Sequence, residues 1–143
     1  RGQTLFRWSR SLLMRRDDQS MRLEGDVEMT NERTADRLLT QLDCQILTAS
    51  LRNEAGTEPT GGELARALAE GNARLRSGTR TLLGDLIEYD AVAGVASAGS
   101  RDGTSVSVID EGTASPLSAR GIVWDMGRGR IEVRAASAVT TPR

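Results

Sequence analysis

The stretches "LEGDVEMT" (Leu23 to Thr30) and "AEGNARLR" (Ala69 to Arg76) share a Glu-Gly-Asp/Asn core with apolar residues two before and two after the glycine. A recurrence of this kind restricts the fold more than local propensity does, because a repeated unit commits its copies to equivalent places in one architecture. Around the two glycines, Leu23, Val27 and Met29 in one copy and Ala69, Ala73 and Leu75 in the other have the same parity. Residues of one parity lie on one face of a strand.

A two-arm unit extends this pattern: a first arm closing on an acidic turn, then a second arm ending at or after a glycine. Four degenerate copies fill most of the chain: Ser9 to Met29; Ala35 to Asp43 with Ala65 to Leu75; Gly84 to Ser100; and Ala119 to Ala135. In the first arms, Leu12, Leu38, Ile87 and Ile122 occupy one position and Met14, Thr40, Tyr89 and Trp124 another two residues on. Both positions predict inward-facing strand residues.

Propensity alone argues otherwise in the middle third. Thr34 can cap a run with Leu38, Leu42 and Ile46 at i, i+4 and i+8, and "GGELARALAEGN" is rich in helix formers. The later segments alternate at period two, with Val106 and Val108, Ile122 and Trp124, and Ile131 and Val133 each separated by a small, polar or charged residue or by Val123. Gly-bearing turns punctuate them. Tertiary context overrides propensity, so the shared parity predicts strands through the middle as well. Cys44 to Glu63 reads as an insertion between arms, since "RNEAGTEPTGGE" has loop composition; residues 45–51 and 63–70 retain a helical alternative. The expected organisation is one domain over 1–138, with the insertion at about 44–63 and a frayed tail at 139–143.

Composition excludes several function classes. The 143 residues balance 19 basic against 20 acidic side chains, leaving no basic footprint for nucleic acid. Every basic residue is Arg; with neither His nor Lys, the His-based and Ser-Lys nucleophile arrangements have no base, and the common His-bearing metal constellations are missing. Cys44 is alone, so no internal disulfide forms. Asp43, Asp90 and Asp125 follow predicted strand ends at one repeat position, where Asp serves a turn rather than paired-carboxylate chemistry. No apolar run approaches the ~18 residues of a membrane span. The chain opens at Arg1, as a processed or excised piece does. These readings predict no catalytic residues, no metal and no cofactor.

The segments "TADRLLTQLD", "AEGNARL", "LLGDLIEYD" and "LEGDVEM" resemble the recurring pattern of the OstA-like family, the fold of the periplasmic lipopolysaccharide-transport proteins LptA and LptC and of the N-terminal domain of LptD. The likeness covers Leu12 to Ala135, with departures at Thr40, where the family has an aromatic, and at Ala73, where it has Val. It implies an all-β fold, an elongated half-open antiparallel β-jelly roll built from stacked two-arm repeats. It also implies a periplasmic cell-envelope protein, non-enzymatic, conveying a lipopolysaccharide-like glycolipid and joined by edge strands to other OstA-like domains or to itself. On that reading Leu12, Met14, Leu23, Val27, Met29, Leu38, Leu42, Ile87, Tyr89, Val106, Val108, Ile122, Trp124, Ile131 and Val133 line an acyl trough. An ordinary dry core would use the same residues. Arg7, Arg10, Arg15 and Arg16 are either a solvated face or contacts for lipid phosphates. The rival function is a structural scaffold or fibre module, assembled head to tail through open strand edges.

Overall fold

The computed structural model describes residues 3–15, 17, 19–32, 39–52, 63–99, 105–111 and 117–134. Among them every helix-or-strand element is a strand: β1 (Gln3–Arg7), β2 (Ser11–Arg15), β3 (Ser20–Glu32), β4 (Leu39–Arg52), β5 (Glu63–Ser77), β6 (Arg80–Asp90), β7 (Val95–Gly99), β8 (Val106–Asp110), β9 (Leu117–Ala119), β10 (Gly121–Asp125) and β11 (Arg130–Arg134). All pair antiparallel in one 11-stranded sheet.

That sheet is folded over along a line crossing the long strands β3 to β6 at mid-length. The first half of β3 pairs with β2 and its second half with β1, while the two halves of β6 pair with β8 and β7. Two layers result. Layer A contains β2, then the halves of β3 to β6 near Leu23, Leu47, Ala69 and Ile87, then β7, β10 and β11. Layer B contains β1, the halves near Met29, Leu42, Leu75 and Leu82, then β8 and β9.

The fold line is where the Gly-Asp/Asn motif sits, and the register explains its chemistry. Gly25 and Asp26 of β3 stand opposite the single residue Gln45 of β4, and Gly71 and Asn72 of β5 stand opposite the single residue Asp85 of β6. Each pair is therefore a β-bulge, one residue longer than its neighbour. Both residues of each pair have positive φ: +94° and +42° in β3, +87° and +47° in β5. Glycine tolerates the first value, and Asp or Asn is the side-chain-bearing type that best tolerates the second. Gln45 ties the line together, its Nε2 donating to Asp26 Oδ1 at 3.2 Å. The recurring tripeptide is thus a bend, and the strand reading of Glu63–Ser77 holds over its helical propensity.

Apolar residues of both layers enclose a single core, from Leu23 and Met29 through Leu47, Leu75 and Leu82 to Ile122 and Trp124. Strand β7, rich in small residues, fits into this core between β6 and β10. Ala98 lies between Ile87 and Ile122, and Ala96 between Tyr89 and Trp124, on the two strands flanking β7. Small residues there leave room for four large ones.

Two local expectations are corrected. Strand β4 runs on through Cys44 to Arg52, so the insertion does not begin at Cys44 and residues 45–51 are strand rather than helix; residues 53–62 and the tail 139–143 lie outside the described residues. Asp43 is paired with both Glu28 and Arg74 inside the sheet instead of closing a turn. Asp90 and Asp125 do serve turns: Asp90 Oδ1 accepts from the amides of Val92 and Ala93 at 3.0 Å, and Asp125 Oδ1 from that of Arg128 at 3.3 Å.

Candidate functional site: the interior between the layers

Ten of the fifteen trough candidates come together between the layers: Leu23, Val27, Met29, Leu42, Ile87, Tyr89, Val106, Val108, Ile122 and Trp124 are all buried in the one cluster. Ile131 packs against it from β11, and Val133 is half-buried. Leu38 lies outside the described residues. Leu12 and Met14 are placed differently, being 42% and 49% exposed. Their register partners are Leu23 and Met21, so they continue the inner face of layer A. They stand in solvent because β2 is the last strand of its layer among the described residues. The interior stripe therefore runs out into an open apolar end.

Further interior residues lie off the sequence pattern. Leu47, Ala49 and Leu64 lie in or beside the expected insertion, and Leu82, Ala96 and Met126 complete the walls. The alternation of Leu47, Ala49 and Leu51 is itself a strand signal. Polar side chains gather at the strand ends farthest from the fold line. Asn31 Nδ2 donates across the layers to Tyr89 Oη at 2.9 Å, and the Arg80 guanidinium lies over the Trp124 ring at 5.7 Å. Asp110 fixes Arg80 with an ion pair at 3.1 Å.

The arginine group is dispersed. Arg7 is on the outer face, 3.5 Å from Glu28 in an exposed pair; Arg10 is in the link beside Gly25; Arg15 ends β2. Arg16 lies outside the described residues. Among the described residues no cluster of His, Cys, Asp or Glu has metal-binding geometry, and no helix is long and apolar enough to cross a membrane.

Cys44 faces inward at the fold line, and burial, more than the nearby Asp43 and Glu70 charges, pushes its thiol up to about 12. An unfolded thiol loses its proton near 9, so the contribution is constant below that pH and turns unfavourable above it. Stability should fall as pH rises from about 9 toward 12, by at most about 1.4 kcal/mol per unit. Urea midpoints of wild type and Cys44→Ala at about pH 8, 9 and 10 check this. The wild-type value should drop relative to the variant only above about pH 9.

An antiparallel sheet folded lengthwise over an apolar interior, with open strand edges at both ends of the described stack, defines an open β-jelly roll of the LptA kind. The solved structure of LptH, the LptA-homologous periplasmic component of the conserved lipopolysaccharide transport device from Pseudomonas aeruginosa, is similar to this chain with a TM-score of 0.71. The match covers 99% of this chain and 90% of that one at 18% sequence identity. No family model matches the sequence, and no curated protein matches it. The likeness is one of fold.

Proposed function

We propose that the protein is a non-enzymatic cell-envelope component of lipopolysaccharide transport, working in the periplasm and holding the acyl chains of a glycolipid between its two layers. The observation that carries this reading is the open end, where Leu12 and Met14 extend the inner apolar stripe into solvent. A chain entering there meets a continuous aliphatic path from Met14 through Leu23 to Met29. Each methylene removed from water contributes about 0.8 kcal/mol, so affinity accumulates with few polar contacts. The likeness to LptH, a periplasmic component of a lipopolysaccharide transport device, supports the choice of lipid and compartment. At the ends of the described stack β1 and β2 on one side, and β9 and β11 on the other, leave strand edges for pairing with a neighbouring β-domain or a second copy.

Site-specific photocrosslinking checks the proposal. Probes at Met14 and Leu13 are both solvent-accessible but on opposite faces, Leu13 being 57% exposed and paired with the outward Arg22. Lipopolysaccharide should crosslink to the Met14 probe and at most weakly to the Leu13 probe. Equal or absent labelling sinks the carrier reading.

A scaffold with a dry interior is the second reading, and one observation favours it. Leu23, Met29, Ile87 and Tyr89 are fully enclosed by protein. Oligomers that grow with concentration while no lipid reaches Met14 would decide for the scaffold.

A further inference from the structure

Asn31, Thr40 and Ser77 are buried polar residues beside a largely apolar core, and all sit at strand ends away from the fold line. They belong to layer B, on the successive strands β3, β4 and β5. Register and hydrogen bonds extend the row in both directions. Thr4 of β1 pairs with Asn31, which pairs with Thr40; Ser77 pairs with Arg80, which pairs with Asp110. The rim of layer B is thus one polar line across six strands, from Thr4 to Asp110.

Opposite it, the rim of layer A offers the groups such a line can grip: the Tyr89 hydroxyl, the Trp124 ring and the Met126 sulfur. Thr4 Oγ1 donates to Asn31 Oδ1 at 2.7 Å, and Asn31 Nδ2 passes the chain on to Tyr89 Oη at 2.9 Å. Thr40 Oγ1 lies 4.0 Å from Met126 Sδ, and Arg80 covers Trp124. Nearer the fold line, Val27, Leu47 and Ala73 belong to the apolar cluster. The side-chain contacts Asn31–Tyr89, Thr40–Met126 and Arg80–Trp124, which join the two layers, all lie at the mouth.

We infer that this row is a seam: the interior is shut by Asn31–Tyr89, Thr40–Met126 and Arg80–Trp124, and the layers part at the mouth, about the bulged fold line, when those pairs separate. Buried polar pairs suit the task, being directional when made and readily taken over by water when broken. Ordinary hydrophobic closure of the same rim would leave no exchangeable partner for water. The use of the seam, admitting an acyl chain along the length of the fold, rests on the carrier reading. Its existence does not.

The test needs no lipid. Cys44 is the single thiol and faces the interior, so its labelling by a disulfide reagent at fixed pH reports opening. Tyr89→Phe keeps the ring and removes the hydroxyl that accepts the Asn31 bond; loss of at least one net hydrogen bond should speed Cys44 labelling about fivefold or more. That gain should persist in low urea with a urea dependence smaller than that of global unfolding, because parting the layers leaves the strand pairing within each layer intact. Thr4→Val, which breaks the relay from its accessible side, supplies the same reading should Tyr89→Phe not fold. Unchanged labelling in the folded variant, or labelling that tracks global unfolding in urea, overturns the seam. Faster labelling without any lipid crosslink at Met14 upholds the seam and counts against the carrier reading alone.

Discussion

Gly71→Ala should lower folding stability by about 3 kcal/mol, combining a strained backbone with an overpacked contact. The glycine has φ of +87°, outside the narrow left-handed well open to side-chain-bearing residues. A methyl built there would lie 3.0 Å from Gln45 Cβ, an atom fixed to the neighbouring strand. Gly25→Ala is strained in the same way at +94°, and its nearest neighbours are Ser9 Oγ at 2.6 Å and Arg10 Cγ at 2.7 Å, side-chain atoms in the exposed link. Arg10 Cβ, at 2.9 Å, is fixed to a link whose amides bond to Gly25 and Glu24, so the link itself must shift and the loss at Gly25 should be at least as large as at Gly71. Gly129→Ala is the control: φ is +68°, no atom lies within 4 Å of the new methyl, and about 1 kcal/mol should be lost. Urea denaturation of the three variants orders them. Equal losses at Gly71 and Gly129 would refute a special role for the bulge.

Leu47→Ala should cost about 3 kcal/mol and Ile46→Ala under about 1 kcal/mol, although the two residues are adjacent and similar in size. Leu47 is fully enclosed in the core opposite Leu23 and Ala69, whereas Ile46 is half-buried on the other face. Were this segment a loop or a solvent-facing helix, neither truncation would matter much. The difference in denaturation midpoint between the two variants therefore reads out which way β4 faces past its bend. A large loss at Ile46 with a small one at Leu47 would invert the assigned register.

These two sites also show why the sequence was legible in some strands and not in others. Crossing the fold line in β3 takes four residues, from Leu23 to Val27, because the bulge adds one; parity is preserved and the motif reads as one continuous strand. In β4 the crossing takes three, from Cys44 to Leu47, so the inward set changes from even to odd numbers. A parity reading breaks there, and the second half of β4 imitates an insertion. The same change occurs in β6 between Leu82 and Ile87, where the flanking glycine and acid concealed it. Leu12 and Met14 illustrate a different limit. Their parity is that of the interior, but exposure depends on whether another strand lies beyond β2, and alternation along a strand carries no information about its place in the stack. The antiparallel architecture, the fold-line glycines and most of the inner stripe followed from residue types. The polar rim did not, since Asn31 and Thr40 look like surface residues until a second layer is placed over them.

Bulged strands β3 and β5 alternate with the unbulged β4 and β6, and each bend fits only a neighbour of the other kind. Deleting β4 alone would set bulge beside bulge and deleting β5 alone would set two unbulged strands side by side; either loses the two-against-one register of the fold line. Ancestral duplication or laboratory truncation must therefore proceed in two-strand steps. A shortened chain lacking both β4 and β5 is the smaller version of this protein to build, whereas removing either one alone breaks the alternation of bulged and unbulged strands.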